Sequence, residues 1–70
     1  MSYINFEEEF TNTKTRKFVI LNNNDTILGK IKWFSHWRRY CFFPELNTIW
    51  DSNCLHEIMV QIDLLMEERK

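Results

Sequence analysis

The hydrophobic positions of this chain read as short strands between residues 17 and 43 and follow a helical period from residue 54 onward. Lys17-Phe18-Val19-Ile20-Leu21 concentrates β-branched and aromatic residues into a strand-like run, and the polar cluster Asn22-Asn23-Asn24-Asp25 after it is a strong turn signal. Over residues 26–34, Ile27, Gly29, Ile31 and Trp33 alternate with Leu28, Lys30, Lys32 and Phe34. Two such runs around a turn predict an antiparallel hairpin. Ser35-His36-Trp37 then turns the chain into a third strand over residues 38–43, ended by Pro44, which has no N–H for a ladder. Thr48-Ile49-Trp50 adds a short fourth strand. Residues 2–10 fit neither period, and Thr11-Asn12-Thr13 reads as a loop.

From residue 54 to residue 69 the period becomes helical. Leu55, Ile58, Met59, Ile62, Leu65 and Met66 form one stripe, while Glu57, Gln61, Asp63, Glu68 and Arg69 occupy the other side. Asp51, Ser52 or Asn53 supplies the cap. Such a helix is ~24 Å long at 1.5 Å per residue, enough to cover a three-stranded sheet. No repeat or linker interrupts the chain. The predicted fold is therefore α+β: one domain over residues 1–70, a small antiparallel sheet of three to four strands with one C-terminal amphipathic helix packed on one face.

A single helix leaves the other face of the sheet to explain. If Ile31 and Trp33 point to the helix, Lys30 and Lys32 point away, joined by either Arg38, Tyr40 and Phe42 or Arg39, Cys41 and Phe43. Both choices put cations and aromatics on the helix-free side. Composition sharpens this: 16% of the residues are aromatic, with one Gly, one Pro and no Ala among 70 residues. Aromatic side chains bury ~150–250 Å² each, more than so short a chain encloses with ease, so some are expected against a partner.

Charge is segregated beneath a net −1: residues 1–10 carry −3, residues 11–45 carry +5 and residues 46–70 carry −3. The central half thus presents a local basic field to an acidic ligand. The N-terminal segment can fold back over this face, bringing Glu7, Glu8 and Glu9 near its Lys and Arg residues.

The expected contact residues are Lys30, Lys32, Trp37, Arg38, Arg39 and Tyr40. Trp, Tyr and Arg dominate protein interfaces when desolvated, which makes a protein partner the first expectation. Single-stranded RNA or DNA is the second, through Lys30, Lys32, Trp33, Arg38 and Tyr40, because aromatic planes stack on unpaired bases while cations track phosphates. Self-association as a virion or structural component is the third; Val60 and Leu64, off the helical stripe, leave an apolar edge for a homo-oligomer.

Other chemistries are poorly supplied. His36, Cys41, Cys54 and His56 lack the paired spacing of a zinc knuckle, so no metal or cofactor is expected. Asp51, Ser52 and His56 lie close together, but short polar residues at a helix start are accounted for by capping, and no enzymatic activity is expected. Cys54 near the helix start is a candidate for a lowered pKa, but burial would make it inert. Two cysteines make no disulfide framework, and the N-terminus lacks the features of a secretory signal, so a reduced, cytoplasmic protein is expected. No apolar run exceeds the four residues of 18–21, far short of the ~20 that span a bilayer.

Two resemblances bear on origin. Gly29-Lys30-Ile31-Lys32-Trp33-Phe34 resembles the first strand of cold-shock domains, but the likeness ends there, since Arg38-Arg39-Tyr40-Cys41-Phe42-Phe43-Pro44 replaces that family's glycine-containing second motif. Trp37-Arg38-Arg39-Tyr40-Cys41-Phe42-Phe43-Pro44, with Thr48-Ile49-Trp50 and Cys54-Leu55-His56-Glu57-Ile58, resembles a pattern in short uncharacterised proteins of phages and mobile elements. Its most specific part is Trp-Arg-x-Tyr-x-Phe-x-Pro. The resemblance implies phage or mobile-element origin, and with it the host-cell cytoplasm, rather than an activity; because small phage proteins often act by binding and blocking a host enzyme or defence complex, an inhibitor or adaptor is the expectation.

Overall fold

The computed structural model describes residues 3–69; Met1, Ser2 and Lys70, the extremes of the predicted domain, lie outside the described residues. Four strands, β1 (Ile4–Glu9), β2 (Lys17–Asn22), β3 (Ile27–Phe34) and β4 (Arg39–Pro44), form an antiparallel sheet in chain order, followed by helix α1 (Ser52–Glu68). The α+β class and the one-sided helix are as expected.

Local chemistry fixes each connection. At the β2–β3 turn, the Asn22 side-chain oxygen accepts from the Asn24 and Thr26 amides at 2.8 and 3.0 Å, and Asp25 takes a left-handed φ of 62°. The β3–β4 turn closes through Trp37 N–H to the Phe34 carbonyl at 3.2 Å, with Arg38 at φ 52°. Arg38 therefore belongs to the turn, and the strand starts one residue later than predicted.

The fourth strand lies at the opposite end of the sheet from the one expected. Residues 4–9 pair with β2 from Ile4↔Asn22 to Glu9↔Lys17. Ile4 and Phe6 join the core, whereas Glu8, next on the same side, breaks the apolar alternation and obscures the strand. Its carboxylate binds the Arg16 guanidinium through two contacts of 2.8 Å. Thr48-Ile49-Trp50 is not a strand. Thr48 Oγ1 donates to the Glu45 carbonyl and accepts from Trp50 Nε1, each at 2.8 Å, folding this connector on itself.

The core lies between the sheet and α1, around Ile4, Phe18, Ile20, Ile31, Tyr40, Ile58 and Leu65. Asp51 is the cap, accepting from the Cys54 amide at 2.8 Å. The buried stripe is rotated from the predicted one: Cys54 packs against the core, while Leu55 and Met59 stand about half exposed beside β4. Gly29 is where the sheet lets Phe42 approach closely, for a Cβ there would lie 2.7 Å from the Phe42 ring.

Candidate contact surface

Because α1 covers the side of the sheet carrying Phe18, Ile20, Ile31, Trp33, Tyr40 and Phe42, alternation sends their neighbours to the opposite side. Pairing sets them in rows: Glu7, Val19, Lys30 and Phe43 across all four strands, then Lys32 beside Cys41, and Phe34 beside Arg39. Of the two parities open in the sequence, the structure takes Arg39, Cys41 and Phe43.

Lys30, Lys32 and Arg39 thus share one face with a compact aromatic group. Phe34 stacks on His36 at 5.2 Å between ring centroids and meets Trp37 edge-on at 5.1 Å and Phe43 at 6.1 Å. Lys32 Nζ sits 4.8 Å from the Phe43 centroid, within cation–π range. Trp37, 68% exposed, and Arg38 rise from the turn at the rim of this face.

Ion pairing separates the cations into two sets. Arg16 is held by Glu8 and, at 2.7 Å, by Glu68, and Lys17 lies 3.3 Å from Glu9. Among the described residues, no carboxylate lies within ion-pair distance of Lys30, Lys32, Arg38 or Arg39. The N-terminal acids do not fold over the face; they extend it sideways as β1, with Glu7 and Glu9 at one end and the free cations at the other.

Tyr40 and Trp33 are corrected from contact residues to structural ones. Tyr40 is 3% exposed on the helix side, where its hydroxyl accepts from the Arg16 amide at 3.0 Å and its ring meets Trp33 edge-on at 5.3 Å. The Arg69 guanidinium lies 4.0 Å over Trp33. Phe34, His36 and Phe43 join the contact set; the doublets Trp33-Phe34 and Phe42-Phe43 carry the sequence signal for the two phenylalanines, since adjacent aromatics in a strand place one ring on each face.

The remaining polar groups are committed locally. Backbone and side-chain hydrogen bonding with Cys54 holds the Asp51 carboxyl below the usual carboxylate range. Burial, reinforced by Asp51, pushes the Cys54 thiol up, which is the inert alternative rather than the activated one. Both cysteines are free, and among the described residues no group of three or more His, Cys, Asp or Glu side chains is arranged to hold a metal ion. Among the same residues, no helix is long and apolar enough to cross a membrane.

No family model matches the chain, and no solved structure matches it. Over 58 residues it is 41% identical to an uncharacterised 9.3 kDa protein of Acholeplasma phage L2, an alignment spanning 81% of this chain and 74% of the relative. A phage-encoded relative agrees with the origin implied by the C-terminal sequence pattern, and β3, which carries the cold-shock-like hexapeptide, is here the third strand of an open sheet. The chain belongs to the same family as this phage protein.

Proposed function

We propose that this is a small non-enzymatic, phage-encoded interaction protein that docks on an acidic surface of a protein partner through the helix-free face, as an inhibitor or adaptor of a host or defence complex. The observation that carries the reading is the set of free cations Lys30, Lys32 and Arg39 around the Phe34 and Phe43 rings, with Trp37 and Arg38 at the rim. Cations left without carboxylates repel one another, and an acidic partner relieves that repulsion while the aromatics supply the desolvated anchor. The test is capture from nuclease-treated host lysate with wild type and with Lys30→Glu plus Lys32→Glu in parallel. A protein recovered by the first and lost with the second supports the reading; identical recovery by both contradicts it.

A second reading, single-stranded RNA or DNA, is favoured by the exposure of Trp37, a free plane for base stacking beside unpaired cations. Fluorescence anisotropy with labelled oligonucleotides separates the two. A nucleic-acid ligand gives affinity that falls steeply with added salt, and an absence of binding at low ionic strength removes this reading.

A further inference from the structure

Bordering the basic face at Trp37 and Arg39, a groove of about 530 Å³ runs between β4 and α1, with Tyr40 and Phe42 on one wall and Leu55, Met59 and Ile62 on the other. Leu55 and Met59 are 47% and 51% exposed there, a large apolar area for so small a protein. The groove flanks an open sheet edge. Glu45 N–H reaches back to the Leu28 carbonyl at 2.9 Å, whereas Tyr40 N–H turns outward to Met66 Sδ at 3.4 Å, so the even-numbered positions of β4 face away from β3. Met66 covers Tyr40 and Pro44 has no N–H to offer. Phe42, between them, turns both its N–H and its carbonyl outward, which permits one reciprocal pair of backbone bonds rather than a long ladder.

The two ends of this edge are opposite in character. Trp37, Arg38 and Arg39 stand where β4 begins, and Glu45 and Leu46 stand where it has ended. Leu46 is 90% exposed. A two-fold axis passing Phe42 lays the beginning of one strand against the end of the other, so that arginine meets carboxylate and indole meets leucine twice over.

We propose that this edge is a self-complementary dimer interface, in which a second copy of the chain docks antiparallel along β4 and closes the groove. The inference does not rest on the partner reading above: the edge shares Trp37, Arg38 and Arg39 with the rim of the helix-free face, but the groove residues Phe42, Leu55 and Met59 lie off that face, so Met59→Lys tests the dimer separately. In such a dimer the two sheets join at β4 and both helix-free faces lie on the same side, which presents both copies of Lys30 and Lys32 together to a partner while Arg39 is engaged by Glu45.

Sedimentation equilibrium on the full chain tests it. Wild type dimerises reversibly. Arg39→Glu and Glu45→Arg each weaken the dimer by about tenfold or more, roughly 1.4 kcal/mol, and the double exchange recovers most of the loss because the pair is reciprocal. Met59→Lys, on the groove wall, yields a monomer whose circular dichroism matches wild type. A wild type that stays monomeric up to about 1 mM, the limit of a meaningful self-affinity, overturns the proposal. So does a dimer indifferent to Met59→Lys, or a double exchange no tighter than its single variants.

Discussion

The backbone amide of Arg16 donates to the phenolic oxygen of Tyr40 at 3.0 Å, joining the β1–β2 loop to β4 across the helix-covered side of the sheet. That bond is why an aromatic in the basic segment is not available to a partner. Tyr40→Phe keeps the ring and its packing on Trp33 but leaves the Arg16 amide without its acceptor. The expected cost is about 1–2 kcal/mol, read as a lower urea midpoint with unchanged slope. Partner capture by this variant is expected to equal wild type under conditions where both are folded.

Gly29 tests the close approach of β3 and β4. Its missing side chain admits the Phe42 ring, and a Cβ would also stand 3.0 Å from the Phe43 carbonyl oxygen. Gly29→Ala forces the ring or the strand to move and is expected to destabilise the fold by about 1–3 kcal/mol, despite alanine's better strand entropy. Thermal unfolding by circular dichroism reads this directly.

Acid destabilisation follows from the carboxylates that are engaged in the fold. The Arg16 hydrogen bonds hold Glu8 below its ordinary range, and the Cys54 bonds do the same for Asp51. A carboxyl whose folded pKa is depressed adds stability above its unfolded pKa, and that contribution disappears as pH falls through the folded value. Arg16 is shifted upward by Glu8 and Glu68 and stays charged throughout this window. Stability is therefore expected to be level near neutrality and to decline from the ordinary carboxylate range downward. Glu8→Gln flattens the upper part of that decline; an unchanged pH profile would contradict the role given to the Arg16–Glu8 pair.

The free cations carry a stability consequence as well. Lys30 and Lys32 have no carboxylate partner among the described residues, so replacing one of them removes repulsion and little else. Lys32→Glu is expected to leave the midpoint within about 0.5 kcal/mol of wild type or to raise it, while lowering partner affinity. A destabilised Lys32→Glu would mean that its contact with Phe43 is structural.

The hairpin, the third strand and the helix were legible because their apolar periods are clean and the Asn-rich turn is unambiguous. β1 was not, since its third inward position is Glu8, whose role depends on an arginine eight residues away and on the far end of the helix. The helix-free face was legible as basic and aromatic, but its parity was not. Arg38, Arg39 and the doublet Phe42-Phe43 read equally well in either register, and the left-handed turn at Arg38 decides between them by starting the strand at Arg39. The exposed flank of α1 was hidden for a similar reason, because Leu55 and Met59 fit a helical stripe whether or not a sheet lies beneath them.

The central claim is that partners are met by the helix-free face, and site-specific photo-crosslinking tests it most directly. A photoreactive amino acid is placed at position 43, on that face, or at position 60, on the outer side of α1, and each protein is irradiated in nuclease-treated host lysate. The account predicts a discrete protein adduct, larger than the self-adduct of a dimer, from position 43 and none from position 60. The same adduct from position 60, with none from position 43, would contradict it.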